Sequence, residues 1–104
     1  MNKKIKNELT DKLFECILSM ETVEECYQLF EDLCTINEIQ AIAQRMEVAA
    51  MLDAKRTYVE IAEKTGASLT VMKNGEHWFH TAEQMKFLDN WIKENINCIN
   101  NQKI

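Results

Sequence analysis

TYVEIAEKTGASLTVMKNG, Thr57 to Gly75, is the stretch on which the fold turns. An apolar-periodic segment carrying Val59, Ile61 and Ala62 runs into Gly66. A second one, carrying Leu69, Val71 and Met72, begins after Ser68. Thr57-x-x-Glu60 fits a capping box, in which a hydroxyl and a later carboxylate satisfy the free amides of a helix start. Ser68 is a simple N-cap for the next helix. Two short helices therefore meet at a glycine turn, and a helix-turn-helix imposes three demands on such a unit. The first helix needs a small residue where the second crosses it, the turn needs a residue that tolerates positive φ, and the second helix needs a bulky apolar anchor. Ala62, Gly66 and Met72 stand at those places, with Ile61 and Leu69 as further apolar contacts. The same spacing also suits an ordinary helical corner, so both readings stay open on this pattern alone.

Outward from this unit, the other helix starts are written in the same chemistry. Thr22-x-x-Glu25, Thr35-x-x-Glu38 and Thr81-x-x-Gln84 also fit capping boxes, and Thr10 is a simple N-cap. Six starts predict six helices. The expected apolar faces are Leu9, Leu13 and Ile17 with Phe14 and Leu18; Val23, Cys26, Tyr27, Phe30, Leu33 and Cys34; Ile39, Ile42, Ala43, Met46, Ala49 and Ala50; and Met85, Leu88 and Ile92. With two glycines and no proline, hairpins and flexible linkers have little material, and the chain reads as all-α. Its 104 residues suffice for one domain, with polar ends at 1–6 and 98–104 expected to fray. A helical chain of this size often completes its core by dimerising.

The four cysteines show no metal-ligand spacing and read as free, buried thiols of a reducing cytoplasm. The absence of a charged leader with an apolar run, or of a long apolar stretch, predicts neither secretion nor a membrane span. His77 and His80 are two ligands at most where a metal needs three or four, so no metal is expected. Trp78–Phe79 and Trp91 read as core rather than as a base-stacking platform. There is no nucleophile–base set, carboxylate pair or phosphate loop, and no enzyme is expected.

Net charge is −5, unevenly spread. Residues 7–53 carry eleven acids against two bases, while 54–104 carry six against seven. A phosphate backbone would be repelled by the first of these regions, so double-stranded DNA, if it is the partner, must meet the second. The second helix of the unit would then enter the major groove with Ser68, Thr70, Val71, Lys73 and Asn74 outward or near the groove. Thr70 and Val71 offer methyls to thymine, Lys73 reaches guanine or phosphate, and Asn74 reaches adenine or phosphate. Lys55 and Arg56 are candidate phosphate contacts, or else solvated charges of an exposed loop. Four bases against three acids across 55–77 give weak affinity, so a dimer presenting two units is expected. The rival reading is a helical, dimeric protein-interaction module without DNA reading.

The run METVEECYQLFEDLCTINEIQAIAQRMEVAAMLDAKRTYVEIAEKTGAS, Met20 to Ser68, resembles the YerC/YecD group of Trp-repressor-related bacterial proteins, with LCTINEIQAIAQRMEVAAML and EIAEKTGAS its distinctive pieces. The resemblance implies a six-helix Trp-repressor-like bundle, an intertwined homodimer, and a repressor of transcription acting through the helix-turn-helix. In the Trp repressor a threonine, an arginine ten residues later, a second arginine and a serine help hold the co-repressor amino acid. Thr35 and Arg45 match the first two, while Asn74 and Trp78 stand at the others. The group's usual I-S-R-V-N-R recognition segment is replaced here by VMKNGEHW. Three readings follow for the candidate effector pocket of Thr35, Arg45, Asn74 and Trp78. Arg45 pairs with Glu38 or Glu31; it binds L-tryptophan or another small carboxylate; or Trp78 fills the pocket and no co-repressor is needed. Of the functional two, the last is preferred.

Overall fold

A computed structural model describes residues 3–78 and 84–91. Five helices have defined bounds: α1 (Glu8–Leu18), α2 (Val23–Leu33), α3 (Ile36–Asp53), α4 (Tyr58–Thr65) and α5 (Leu69–Gly75). Residues 84–91 are also helical. Six helical segments and no strand among the described residues make the fold all-α, as the caps predict. The Thr81 cap, Phe79, His80, Ile92, Cys98 and the end at 98–104 lie outside the described residues.

Most of the starts obey the expected chemistry. Thr35 and Glu38 form a full capping box: Thr35 N donates to Glu38 Oε1 at 2.8 Å, and Glu38 N donates to Thr35 Oγ1 at 3.1 Å. Thr22 caps through Glu25 N at 3.1 Å, but Glu25 reaches back to the amide of Glu21 instead of that of Thr22. The first helix departs from expectation. Its N-cap is Asn7, whose Oδ1 accepts from Thr10 N at 2.9 Å and from Thr10 Oγ1 at 3.1 Å. An Asx side chain is at least as good a cap as threonine, so the helix starts one turn earlier and Thr10 becomes a donor inside its first turn. The C-terminus of α3 closes in a Schellman arrangement. Arg56 N donates to Met51 O and Lys55 N to Leu52 O, with Lys55 left-handed at φ 61.

The chain divides into two compact units, Met1–Ile39 and Gln40–Ile104, with α3 running through the boundary. In the first, α1 and α2 bury no residue fully. Their expected apolar faces are largely in the open, with Leu9 79%, Leu18 83% and Val23 73% exposed. Cys16 is exposed too, while Cys26 and Cys34 are half-buried; all three are free.

The second unit holds the core. Val48, Met51, Ile61, Ala67 and Met72 form one cluster, and Ala49, Ala50 and Leu88 form another. Four consecutive α3 residues, Val48–Ala49–Ala50–Met51, are thus buried on all sides of the helix. The stripe expected from periodicity placed Ile42 and Met46 inside, and both are exposed in the single chain. A helix surrounded by packed neighbours loses its amphipathic signature, so the burial of Val48 and Met51 left no stripe to read. Among the described residues, no helix is long and apolar enough to cross a membrane.

Candidate nucleic-acid interface

α4 begins at a capping box: Glu60 N donates to Thr57 Oγ1 at 3.2 Å, and Thr57 N to Glu60 Oε1 at 3.4 Å. Its inner face carries Ile61, fully buried, with Ala62 half-buried against the same cluster. The turn is Thr65–Gly66–Ala67, with Gly66 at φ 73, ψ 8. Three hydrogen bonds hold it locally. Gly66 N donates to Ala62 O at 2.8 Å, Gln44 Nε2 on α3 donates to Thr65 O at 3.1 Å, and Ala67 N donates to Thr65 Oγ1 at 3.1 Å. These bonds favour one conformation of the turn, because another would give up part-buried pairings. Gln44 and Thr65 went unnoticed in the sequence; the signal was a threonine directly before the turn glycine.

α5 starts at Ser68, whose Oγ accepts from Val71 N at 3.2 Å. Met72 is 4% exposed and sits in the core cluster with Ile61 and Val48. Ser68, Thr70, Lys73 and Asn74 are exposed. Val71 is not free to face outward: it is half-buried against the core cluster, because a helix anchored through Met72 turns its neighbour partly inward. Leu69, expected to add an apolar contact, is 54% exposed. At the end of α3, Lys55 is exposed and Arg56 half-buried.

The far end of α5 is held by two contacts that the sequence did not announce. Gly75 is buried, and a Cβ built on it would meet Leu52 Cδ1 at 3.0 Å, Trp78 Cζ3 at 3.2 Å and Val48 Cγ1 at 3.2 Å. The Tyr58 hydroxyl at the start of α4 donates to Glu76 Oε1 at the C-cap of α5. That bond to the carboxylate is the main cause raising the Tyr58 pKa above the ordinary phenol value.

Three of the four candidate effector residues, Arg45, Asn74 and Trp78, lie in the second unit. Arg45 and Trp78 line one open cavity of about 430 Å³ together with Ile42, Met46, His77, Gln84 and Phe87. Asn74 is not among its described lining residues. Thr35 belongs to the first unit, where its hydroxyl and amide are engaged in the α3 capping box. That box also occupies Glu38, whose pKa is lowered chiefly by the backbone amide of Thr35. Trp78 is half-buried, packs against both core clusters and lines a second cavity of about 450 Å³ with Asp53, Lys55 and Glu76 at its polar side. Among the described residues, no group of histidine, cysteine and acidic side chains is placed to hold a metal.

Comparison with known proteins accords with this geometry. The Bacillus subtilis (strain 168) protein YerC, itself functionally uncharacterized, is 55% identical over 65 residues, which are 62% of this chain and 62% of YerC. The chain thus spans under two thirds of that curated relative's length. A crystal structure of a TrpR-like protein from Eubacterium eligens ATCC 27750 superposes with a TM-score of 0.80 at 40% identity, covering 86% of this chain and 95% of that one. That of a proposed Trp repressor from Staphylococcus aureus gives 0.78 at 37%, covering 86% and 91%. The Trp repressor protein family, one of helix-turn-helix regulators and not of enzymes, matches residues 8–95, and the chain belongs to it.

Proposed function

We propose that the chain is a sequence-specific transcriptional regulator, a repressor, that binds double-stranded DNA as a cytoplasmic homodimer through α4, the Gly66 turn and α5. The observation that carries this reading is the α4–α5 unit. Its inner face is buried through Ile61, Ala67 and Met72, while Ser68, Thr70, Lys73 and Asn74 stand in solvent on α5. Buried anchors with an exposed polar row are what a major-groove helix requires. Dimerisation is supported by the exposed apolar residues of α1 and α2, which a second copy would cover, and by weak electrostatics that need two units for useful affinity. Thr70 carries a base contact, Lys73 reaches guanine or phosphate, and Lys55 and Arg56 reach phosphates.

No co-repressor is needed in this reading. Arg45 keeps one anionic-ligand position, but Asn74 and Trp78 replace two others, and Trp78 lines the same cavity as Arg45. The rival, a dimeric protein-interaction module, is favoured by the eleven acids of residues 7–53 beside exposed apolar side chains.

The test is fluorescence anisotropy against the duplex upstream of the protein's own gene and against a scrambled duplex, with and without L-tryptophan. Preference for the native duplex without tryptophan is the expected result. T70A/K73A should abolish that preference and leave the dimer intact, since each base contact is worth about 1–3 kcal/mol. If no duplex, including any drawn from a randomised pool, is preferred, the interaction module becomes the better reading.

A further inference from the structure

We propose that Tyr58 and Glu76 form a strut that sets the angle of α5 for base reading, making both of them positioning residues of the interface. The inference rests on the DNA-binding reading above, and goes beyond it to two residues that touch no base in that reading.

α5 has seven residues, Leu69–Gly75. A helix so short has no independent stability in water, so its direction is set by attachments to the rest of the fold. At its N-terminal end these are plentiful: the left-handed Gly66, the Thr65 and Gln44 hydrogen bonds, and the Ser68 cap. In its middle, Met72 inserts into the core. At its C-terminal end the backbone of Gly75 rests on Leu52, Val48 and Trp78, a side-chain-free contact that limits approach but not sliding. Trp78, three residues further on, packs against both core clusters, and the Tyr58–Glu76 hydrogen bond adds a directional constraint. It spans 18 residues and joins the first residue of α4 to the C-cap of α5, closing the whole motif into a ring.

Tyr58 is itself fixed, since it is half-buried against the Val48–Ile61–Met72 cluster and its helix starts at a full capping box. The strut therefore ties the C-terminal end of the reading helix to a fixed post. A hydrogen bond to an ionised group is among the stronger kinds available for this. Base readout needs side chains held to about 0.5 Å by such supporting contacts, whereas attraction to phosphates tolerates a tilt of the helix.

The measurement is the ratio of affinities for two labelled duplexes, one selected by the native protein from a randomised pool and one unselected. The variants Y58F, E76Q and E76A are compared with native protein at one salt concentration. Y58F keeps the ring and its packing and loses only the donor. It should lower the selected-to-unselected ratio about tenfold, with unselected affinity unchanged. E76Q keeps a side-chain carbonyl acceptor and should restore most of the ratio, while E76A should match Y58F. Removing the Glu76 charge also lightens phosphate repulsion, which is why the ratio, and not the raw affinity, is read. Y58F/E76A should be no worse than either single variant, because both delete the same bond. A merely structural role would lower both affinities together through loss of folded protein. Should Y58F fold poorly, the exposed Glu76 pair still decides the matter. Equal ratios for native, Y58F and E76A would overturn the strut and leave DNA reading standing. A native protein that selects no sequence would overturn the DNA reading, and the strut with it.

Discussion

Gly66 and Lys55 both hold left-handed backbone, at φ 73 and φ 61, and they differ in what that conformation costs. Glycine adopts it freely, whereas an L side chain is penalised by about 1–2 kcal/mol. A Cβ on Gly66 would meet nothing within 4 Å, so G66A should cost only that backbone penalty, about 1–2 kcal/mol in urea unfolding. G66N should cost less, because asparagine tolerates this region better. Lys55 already bears the penalty at the C′ position of α3, and K55G should stabilise the protein by about 1 kcal/mol. If Lys55 reaches a phosphate, the same substitution should weaken binding to every duplex alike. A third residue gives a pH prediction. Glu38 has its pKa held below the ordinary carboxylate value, first by the Thr35 amide and then by its hydroxyl. A lowered folded-state pKa means that the α3 cap is fully formed above the ordinary carboxylate range and is lost as pH falls through the lowered value. Protection of the Thr35 amide, followed by NMR, should vanish on that acid limb, and E38Q should flatten the profile.

At the scale of the element, α5 is where local rules and packing disagree. Alanine is the better helix former by about 1 kcal/mol, so propensity alone favours G75A. Packing opposes it, because three side-chain atoms stand 3.0–3.2 Å from the added carbon. Overpacking of this kind costs about 1–3 kcal/mol. The net result should be a destabilisation of up to about 2 kcal/mol in chemical denaturation, despite the gain in propensity. A stabilised G75A would mean that Leu52 and Trp78 yield easily and that α5 is not pressed against α3. The same element shows where the sequence was legible. Ser68, Thr57 and Thr35 announced their helices because a cap acts within three residues, a distance that a sequence displays directly. Thr10 misled because Asn7, three residues earlier, competed for the same role. The glycine turn could be read from spacing, since its geometry is equally local. The Tyr58–Glu76 bond, the Gln44–Thr65 bond and the seat of Gly75 could not, as each joins residues brought together only by how α3, α4 and α5 pack. Val71 shows the same limit, being turned partly inward by the anchoring of its neighbour Met72.

The whole molecule is asymmetric in both apolar surface and charge. Fully buried side chains lie in the second unit, while α1 and α2 leave Leu9, Leu13, Phe14, Leu18, Val23, Tyr27 and Leu33 exposed. Covering one leucine side chain is worth about 1.5–3 kcal/mol, and in a symmetric dimer a substitution counts twice. L13D should therefore weaken dimerisation by about 100-fold or more in sedimentation, provided that a second copy covers this face. Charge sorts the two functional readings at the same scale. Lys55, Lys64 and Lys73 are exposed in the second unit, and the acids of residues 7–53 have no part in attracting phosphate. Binding through phosphate neutralisation weakens with salt by a slope that counts the neutralised phosphates. K73A in a DNA-bound dimer removes two of these contacts and should lower the logarithmic salt slope by about 2. T70A removes a methyl contact without charge, so it should leave the slope alone and lower only the preference for the selected duplex. A shallower slope in K73A with an unchanged one in T70A would separate phosphate contact from base contact on a single helix. Equal slopes in both variants would mean that Lys73 neutralises no phosphate.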